Sequence, residues 1–240
     1  MRRCNTFGLR PHLTAMNPHI PVRSILAVPL FFGLGLSFAA AADDLKVSPD
    51  NGNNTFTAVF DAPLGERITA VSSAVACDIS YDPSAATASG HCSVPLTTVM
   101  VDNEQTKTEH FQAWATNKKI KPQACTFEAK FSDVKLSEPL VPEKSVRFTA
   151  EAPFTICGRS RADGGKEHLE GTAVLVSPES KTVRIRARVA KFNRDAYKVG
   201  PAYTDGWLAR VQSLAKVVAE EGEIELTLFA RPSSTQHSSR

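Results

Sequence analysis

The first 42 residues contain no aspartate or glutamate, although Arg2, Arg3, Arg10 and Arg23 lie among them. The formal charge of +3 therefore belongs to this segment, because residues 43–240 carry 24 basic and 25 acidic side chains. A chain so close to neutrality lacks the concentrated positive charge that a phosphate backbone demands, so no nucleic-acid partner is expected. HExxH, GxSxG and a glycine-rich phosphate loop are also missing. Beyond the first 42 residues histidine is limited to His91, His110, His168 and His237. The Glu109-His110 pair has no nucleophile or metal partner beside it, which makes an enzyme the weaker class. Neither C-x-x-C nor a paired-histidine spacing occurs, so no zinc site and no cofactor are expected. There is no internal repeat and no linker rich in Gly, Pro or Ser. The remaining composition, 42% hydrophobic and 22% charged, is that of an ordinary globular chain.

The acid-free segment has an internal order. Arg23 precedes the uncharged run SILAVPLFFGLGLSF, residues 24–38, and Ala39 to Ala42 follow it before Asp43-Asp44. A basic flank, an apolar run and a small-residue exit are the parts of a secretory signal peptide, with cleavage after Ala42. The run is too short to span a bilayer, which takes about 20 apolar residues, and Pro29, Gly33 and Gly35 interrupt it. No stable transmembrane segment is expected after cleavage. The long stretch before Arg23 leaves Met1 and Met16 as alternative starts. The expected location is the periplasm or the exterior, an oxidising compartment. There Cys77, Cys92, Cys125 and Cys157 should form two disulfides.

From residue 43 onward the chain reads as short segments of period-two alternation. In residues 125–131 Cys125, Phe127, Ala129 and Phe131 share one face; in 181–192 Val183, Ile185, Ala187 and Val189 oppose Arg184, Arg186 and Arg188. Similar runs at 55–61, 67–77, 91–101, 146–157, 168–176 and 223–230 bring the number of strands to about eight. Turn chemistry at 61–65, 81–84 and 177–180 implies antiparallel neighbours. Closing the series into a barrel hides its edges, with a two-sheet sandwich as the competitor. Helical spacing marks two short helices, at about 106–116 and 206–219, the second covering one barrel end. Residues 231–240 read as a frayed tail. Four cysteines permit three pairings, which spacing alone leaves open. A turn centred on Ser84-Ala85 would set Cys77 opposite Cys92, and one about Val141 would set Cys125 opposite Cys157. The second pair has mismatched parity with Phe148, so it requires a bulge at Pro153.

Three stretches carry a resemblance. VPLTT at 94–98, KTEHF at 107–111 and KIKPQACTF at 119–127 resemble the Ser-Leu-x-Thr, Arg-Asp-x-His-Leu and Tyr-Pro-x-x-x-Phe succession of the YceI-like family. FTICGRSR at 154–161 is similar to its Leu-Thr-Ile-x-Gly-Val-Thr-Arg strand and turn, and NRDAYKVGPAY at 193–203 to its Arg-x-Asp-Tyr-Gly-Ile segment. The departures are Lys107-Thr108 in place of Arg-Asp, Cys157 in place of His or a variable residue, and the insertion around 206–219. The resemblance implies an all-β, eight-stranded antiparallel, lipocalin-like barrel over residues 43–230 that holds an isoprenoid or fatty lipid.

A barrel of this size is just wide enough to be filled by its own side chains or to admit one slender ligand. Small residues decide which, and Ala70, Ser72, Ala74 and Ala76 on one face would leave room. The candidate ligand-lining residues are Phe60, Ala70, Ala74, Phe127, Phe131, Phe148 and Phe154, with Phe111 and Trp114 of the first helix. The expected function is non-catalytic sequestration or carriage of an apolar lipid. The alternative is an extracytoplasmic protein-interaction module on a filled barrel or sandwich. A homodimer is left open.

Overall fold

A computed structural model describes residues 42–51, 53–204 and 218–233. The expected signal peptide, most of the second helix and all but the first three tail residues therefore lie outside the described residues.

The strands are β1 (Asp43–Val47), β2 (Thr55–Asp61), β3 (Arg67–Ser72), β4 (Ala76–Asp82), β5 (Thr87–Pro95), β6 (Met100–Val101), β7 (Thr126–Leu136), β8 (Ser145–Ala152), β9 (Phe154–Ile156), β10 (Glu167–Ser177), β11 (Thr182–Asn193) and β12 (Glu221–Pro232). One α-helix, α1 (Gln105–Thr116), stands between β6 and β7. Every strand pair is antiparallel. β1, β4, β5, β7, β8, β10, β11 and β12 form a continuous series, and pairing of Leu45 and Lys46 with Pro232 and Arg231 closes it into an eight-stranded barrel. The first half of β12 pairs with β2, which continues through β3 to β6 as a flap above β1, β4 and β5. Several staves of the barrel are thus broken strands. The chain leaves one ladder at a short irregular segment and resumes beside it.

These breaks correct the sequence reading at three places. β1 precedes the first expected strand. The run expected at 67–77 is divided by Ser73–Val75, and the inward parity flips across the gap: Ala70 and Ser72 are buried before it, and Val75, Cys77, Ile79 and Tyr81 after it. Ala74 and Ala76 therefore leave the inner face, and Ala74 is no lumen residue. The run expected at 91–101 is likewise two strands, with a 3-10 turn at Leu96–Thr98 between them.

The bulge expected at Pro153 is absent: Val146 and Ala152 before it and Phe154 and Ile156 after it are all buried, so the inward parity runs through Pro153 unchanged. β7 pairs β8 with Lys135 opposite Thr149 but β9 with Phe127 opposite Ile156, and the extra residue lies in β7 itself, where Asp133 has φ of 54° and the pairing with β5 shifts between Ala88–Val134 and Gly90–Phe131. Cys157 instead stands just past the end of β9 with φ at 51°, outside the alternation of the strand, and is disulfide-bonded to Cys125 with Cα atoms 4.4 Å apart. Cys77 and Cys92 are direct cross-strand partners, also disulfide-bonded, with Cα atoms 4.1 Å apart.

Three inward phenylalanines face glycines. Phe131 pairs across strands with Gly90, Phe148 with Gly171 and Phe60 with Gly222. A Cβ added at these glycines would lie 2.9, 2.5 and 2.4 Å from the respective ring. Each ring is folded over the bare backbone of the next strand, against the wall and away from the barrel axis.

Two outcomes test this account. In the chain-entropy view the larger loop closed by Cys125–Cys157 contributes about 4 kcal/mol and that of Cys77–Cys92 about 3. Urea titration of the paired Cys→Ala variants should show the former losing more unfolding free energy, and equal losses would contradict it. Gly171→Ala should cost about 1 to 3 kcal/mol through overpacking against Phe148 and the Arg186 carbonyl. An unchanged melting temperature would show that the ring does not rest on that glycine.

Candidate functional site

The barrel interior holds three cavities in file. The upper one, about 740 Å³, opens at the end formed by the β2–β3 turn, α1 and residues 194–199 and 218. Its wall includes Phe60, Ala70, Phe111, Trp114 and Phe127, together with Ala58, Ile68, Val101, Ile156 and Phe192. Below it a chamber of about 60 Å³ lies among Phe56, Val75, Phe127, Phe154 and Phe192. A third, about 100 Å³, lies among Ile79, Phe131, Leu140, Phe148 and Leu228. The upper and middle cavities share Phe127, Ile156 and Phe192; the middle and lower share Cys92, Ala129 and Leu226.

The boundary between upper and middle cavities is a belt of aromatic rings. Phe127 stacks on Phe56 at 6.0 Å and meets Phe111 at 6.1 Å. Phe192 touches Phe60 at 6.4 Å, Phe154 at 6.3 Å and Tyr197 at 5.2 Å. Ring contacts at these separations are favourable but shallow, each worth about 0.5 to 1.5 kcal/mol, so the belt is a constriction that side-chain rotation can widen. At the far end Leu140 of the β7–β8 connection packs against the lower chamber, and its backbone N–H donates to the Tyr81 hydroxyl at 2.9 Å.

The helix α1 forms one side of the upper cavity through Lys107, His110, Phe111 and Trp114, one helical face by their spacing. Its position is fixed at both ends. Thr108 accepts a hydrogen bond from the Val101 N–H at 2.9 Å, and Lys107 meets Asp102 at 2.8 Å, Glu66 at 3.1 Å and Glu104 at 3.3 Å. Those carboxylates raise the Lys107 pKa above the usual lysine value. At the C-terminal end Arg159 donates to the Ala115 carbonyl and, at 3.0 Å, to that of Tyr197. Beneath this latch the buried Glu167 accepts from Tyr197 at 2.6 Å and pairs with Arg161 at 2.8 Å. Burial, then the Glu167 bond, pushes the Tyr197 hydroxyl pKa up, so it remains a donor.

Arg194 is the one buried cation on the wall of the upper cavity among the described residues. It is 6% exposed and donates to the carbonyls of Val199 at 2.7 Å, Val218 at 2.5 Å and Ala219 at 2.9 Å. Burial lowers its pKa below the ordinary arginine value. Carbonyl dipoles take the place of a counter-ion, and the side chain ties the start of the β11–β12 connection to its end.

The candidates drawn from the sequence thus fall into separate places. Phe60, Ala70, Phe111, Trp114 and Phe127 come together at the upper cavity, Phe154 at the middle chamber, and Phe131 and Phe148 at the lower one. Ala74 lines none of the three. Sequence reasoning missed Phe56, Phe192 and Arg194. Phe192 follows a register shift between Val189 and Phe192, so it falls out of phase with the inward series Val183 to Val189. The signal that could have found it was its place directly before the Asn193–Tyr197 segment of the family-like motif.

No family model matches the chain, and no curated protein matches it in sequence. Among solved structures it is similar to a polyisoprenoid binding domain from Saccharophagus degradans implicated in plant cell wall breakdown. The likeness has a TM-score of 0.54 at 13% identity and covers 79% of this chain and 98% of that one. At that identity it shows a shared barrel fold.

Proposed function

We propose that this protein sequesters or carries an isoprenoid-type amphiphile in the interior of its barrel, without chemistry of its own, in the periplasm or outside the cell. The observation that carries this reading is the 740 Å³ cavity at one barrel end, walled by Phe60, Ala70, Trp114 and Phe192. That volume lies in the usual range of small-molecule sites, about 300 to 1,000 Å³. Two small apolar chambers continue along the axis, in line for a chain to extend past the aromatic belt. The structural neighbour is described as a polyisoprenoid binding domain, which supports the same ligand class. Each buried CH2 contributes about 0.8 kcal/mol, so a few isoprene units give useful affinity with few polar contacts. Both disulfides suit an oxidising compartment.

Lipid extraction and mass spectrometry of protein purified from its native compartment should reveal a prenyl-chain amphiphile in near-stoichiometric amount. If no apolar ligand co-purifies, and delipidated protein fails to bind a fluorescent farnesyl probe, the interaction-module reading replaces this one. Ala70→Phe, which fills the upper cavity from its wall, should weaken probe binding about tenfold or more, equivalent to losing about two buried CH2 groups. Undiminished binding by a folded Ala70→Phe variant would place the ligand elsewhere.

A further inference from the structure

Four of the six large apolar side chains that stand exposed among the described residues, Leu64, Val71, Met100 and Ile120, belong to the half of the barrel that carries the cavity mouth. Leu64 is the extreme case. It sits at the tip of the β2–β3 turn, on the rim of the upper cavity, fully exposed and with φ at 66°. A bulky residue in the left-handed region is uncommon, and here the strained turn holds an apolar side chain out in water. Ile120 stands 40% exposed in the turn that follows α1, with Lys118 and Lys119 before it and Lys121 after it. Leu64 thus lies on the rim beside the start of α1, where Glu66 pairs with Lys107, and Ile120 follows the other end of the helix that lines the cavity. Three acidic side chains of this rim, Glu66, Asp102 and Glu104, converge on Lys107 and a fourth, Glu109, accepts from Gln105, whereas Lys119 and Lys121 have no ion pair among the described residues. An apolar side chain set among lysines, as Ile120 is, suits a surface that is greasy inside and anionic outside.

We propose that the mouth end of the barrel docks onto an anionic lipid bilayer, with Leu64 and Ile120 entering the interface and Lys119 and Lys121 meeting headgroup phosphates. The mouth then faces the membrane, and an apolar chain passes between bilayer and cavity without crossing water. The direct contact with the bilayer stands on the exposed residues; the passage of a ligand rests on the lipid-binding reading above.

The test is co-sedimentation with phosphatidylcholine vesicles, with and without phosphatidylglycerol, using the protein purified as it accumulates in cells. Leu64→Ser with Ile120→Ser should lower the partition coefficient about tenfold on phosphatidylglycerol vesicles. Lys119→Ser with Lys121→Ser should lower it about fivefold per lysine on those vesicles and leave the phosphatidylcholine value unchanged. Val141→Ser with Val176→Ser, at the opposite end, should match wild type. Absence of wild-type binding overturns the proposal, and so does wild-type partitioning by the Leu64/Ile120 variant with its fold intact by circular dichroism. Farnesyl-probe binding in solution is measured separately. If the probe does not bind while vesicle binding depends on Leu64 and Ile120, docking stands and the carrier reading falls.

Discussion

An eight-stranded barrel encloses barely enough space for its own inward side chains, so hollowness depends on where the largest of them lie. Here the decisive contact is between an aromatic ring and a glycine on the neighbouring strand. Phe60, Phe131 and Phe148 each pair with a residue that has no side chain, and each ring settles over the exposed backbone. Any other residue at Gly90, Gly171 or Gly222 would push the ring toward the axis. The arrangement also covers backbone that would otherwise lack a packing partner. Wall stability and lumen volume therefore come from the same contacts.

The interior is not a uniform tube. Phe56, Phe127 and Phe192 narrow it between a wide upper cavity and two small chambers, and the largest of these three spaces lies beside α1 and the β2–β3 turn. Much of the polar anchoring lies at that same end, with the Leu140–Tyr81 bond holding the other. Arg159 and the Cys125–Cys157 bond hold the C-terminal side of α1, and Lys107 and Thr108 hold its N-terminal side. Such a distribution keeps the lumen apolar while fixing the shape of its mouth. Arg194, satisfied by three carbonyls, fastens the last connection without bringing a carboxylate into the cavity wall.

Much of the fold was legible in period-two alternation, because a half-buried antiparallel strand writes its two faces into alternate residues. The hairpins about Ser84-Ala85 and Val141 could be centred by counting, which placed both disulfides, but the irregularities that accommodate the second lie at Asp133 of β7 and at Cys157 itself, where no proline marks them. Alternation could not reveal the breaks at Ser73–Val75 or before Phe192. A one-residue shift exchanges the faces of everything that follows while leaving the local pattern intact. Ala74 was misplaced and Phe192 overlooked for that one reason. The glycine partners of Phe60, Phe131 and Phe148 were illegible as well, since cross-strand pairing depends on register across distant segments.

The central claim is that this closed wall encloses space for an apolar chain. A crystal structure of protein purified without detergent or delipidation tests it most directly. The account predicts elongated density in the upper cavity, running from beside Trp114 toward the Phe127 and Phe192 rings, with Phe60 and Phe148 lying against Gly222 and Gly171. Phenylalanine side chains turned inward to fill the lumen from mouth to floor would contradict it.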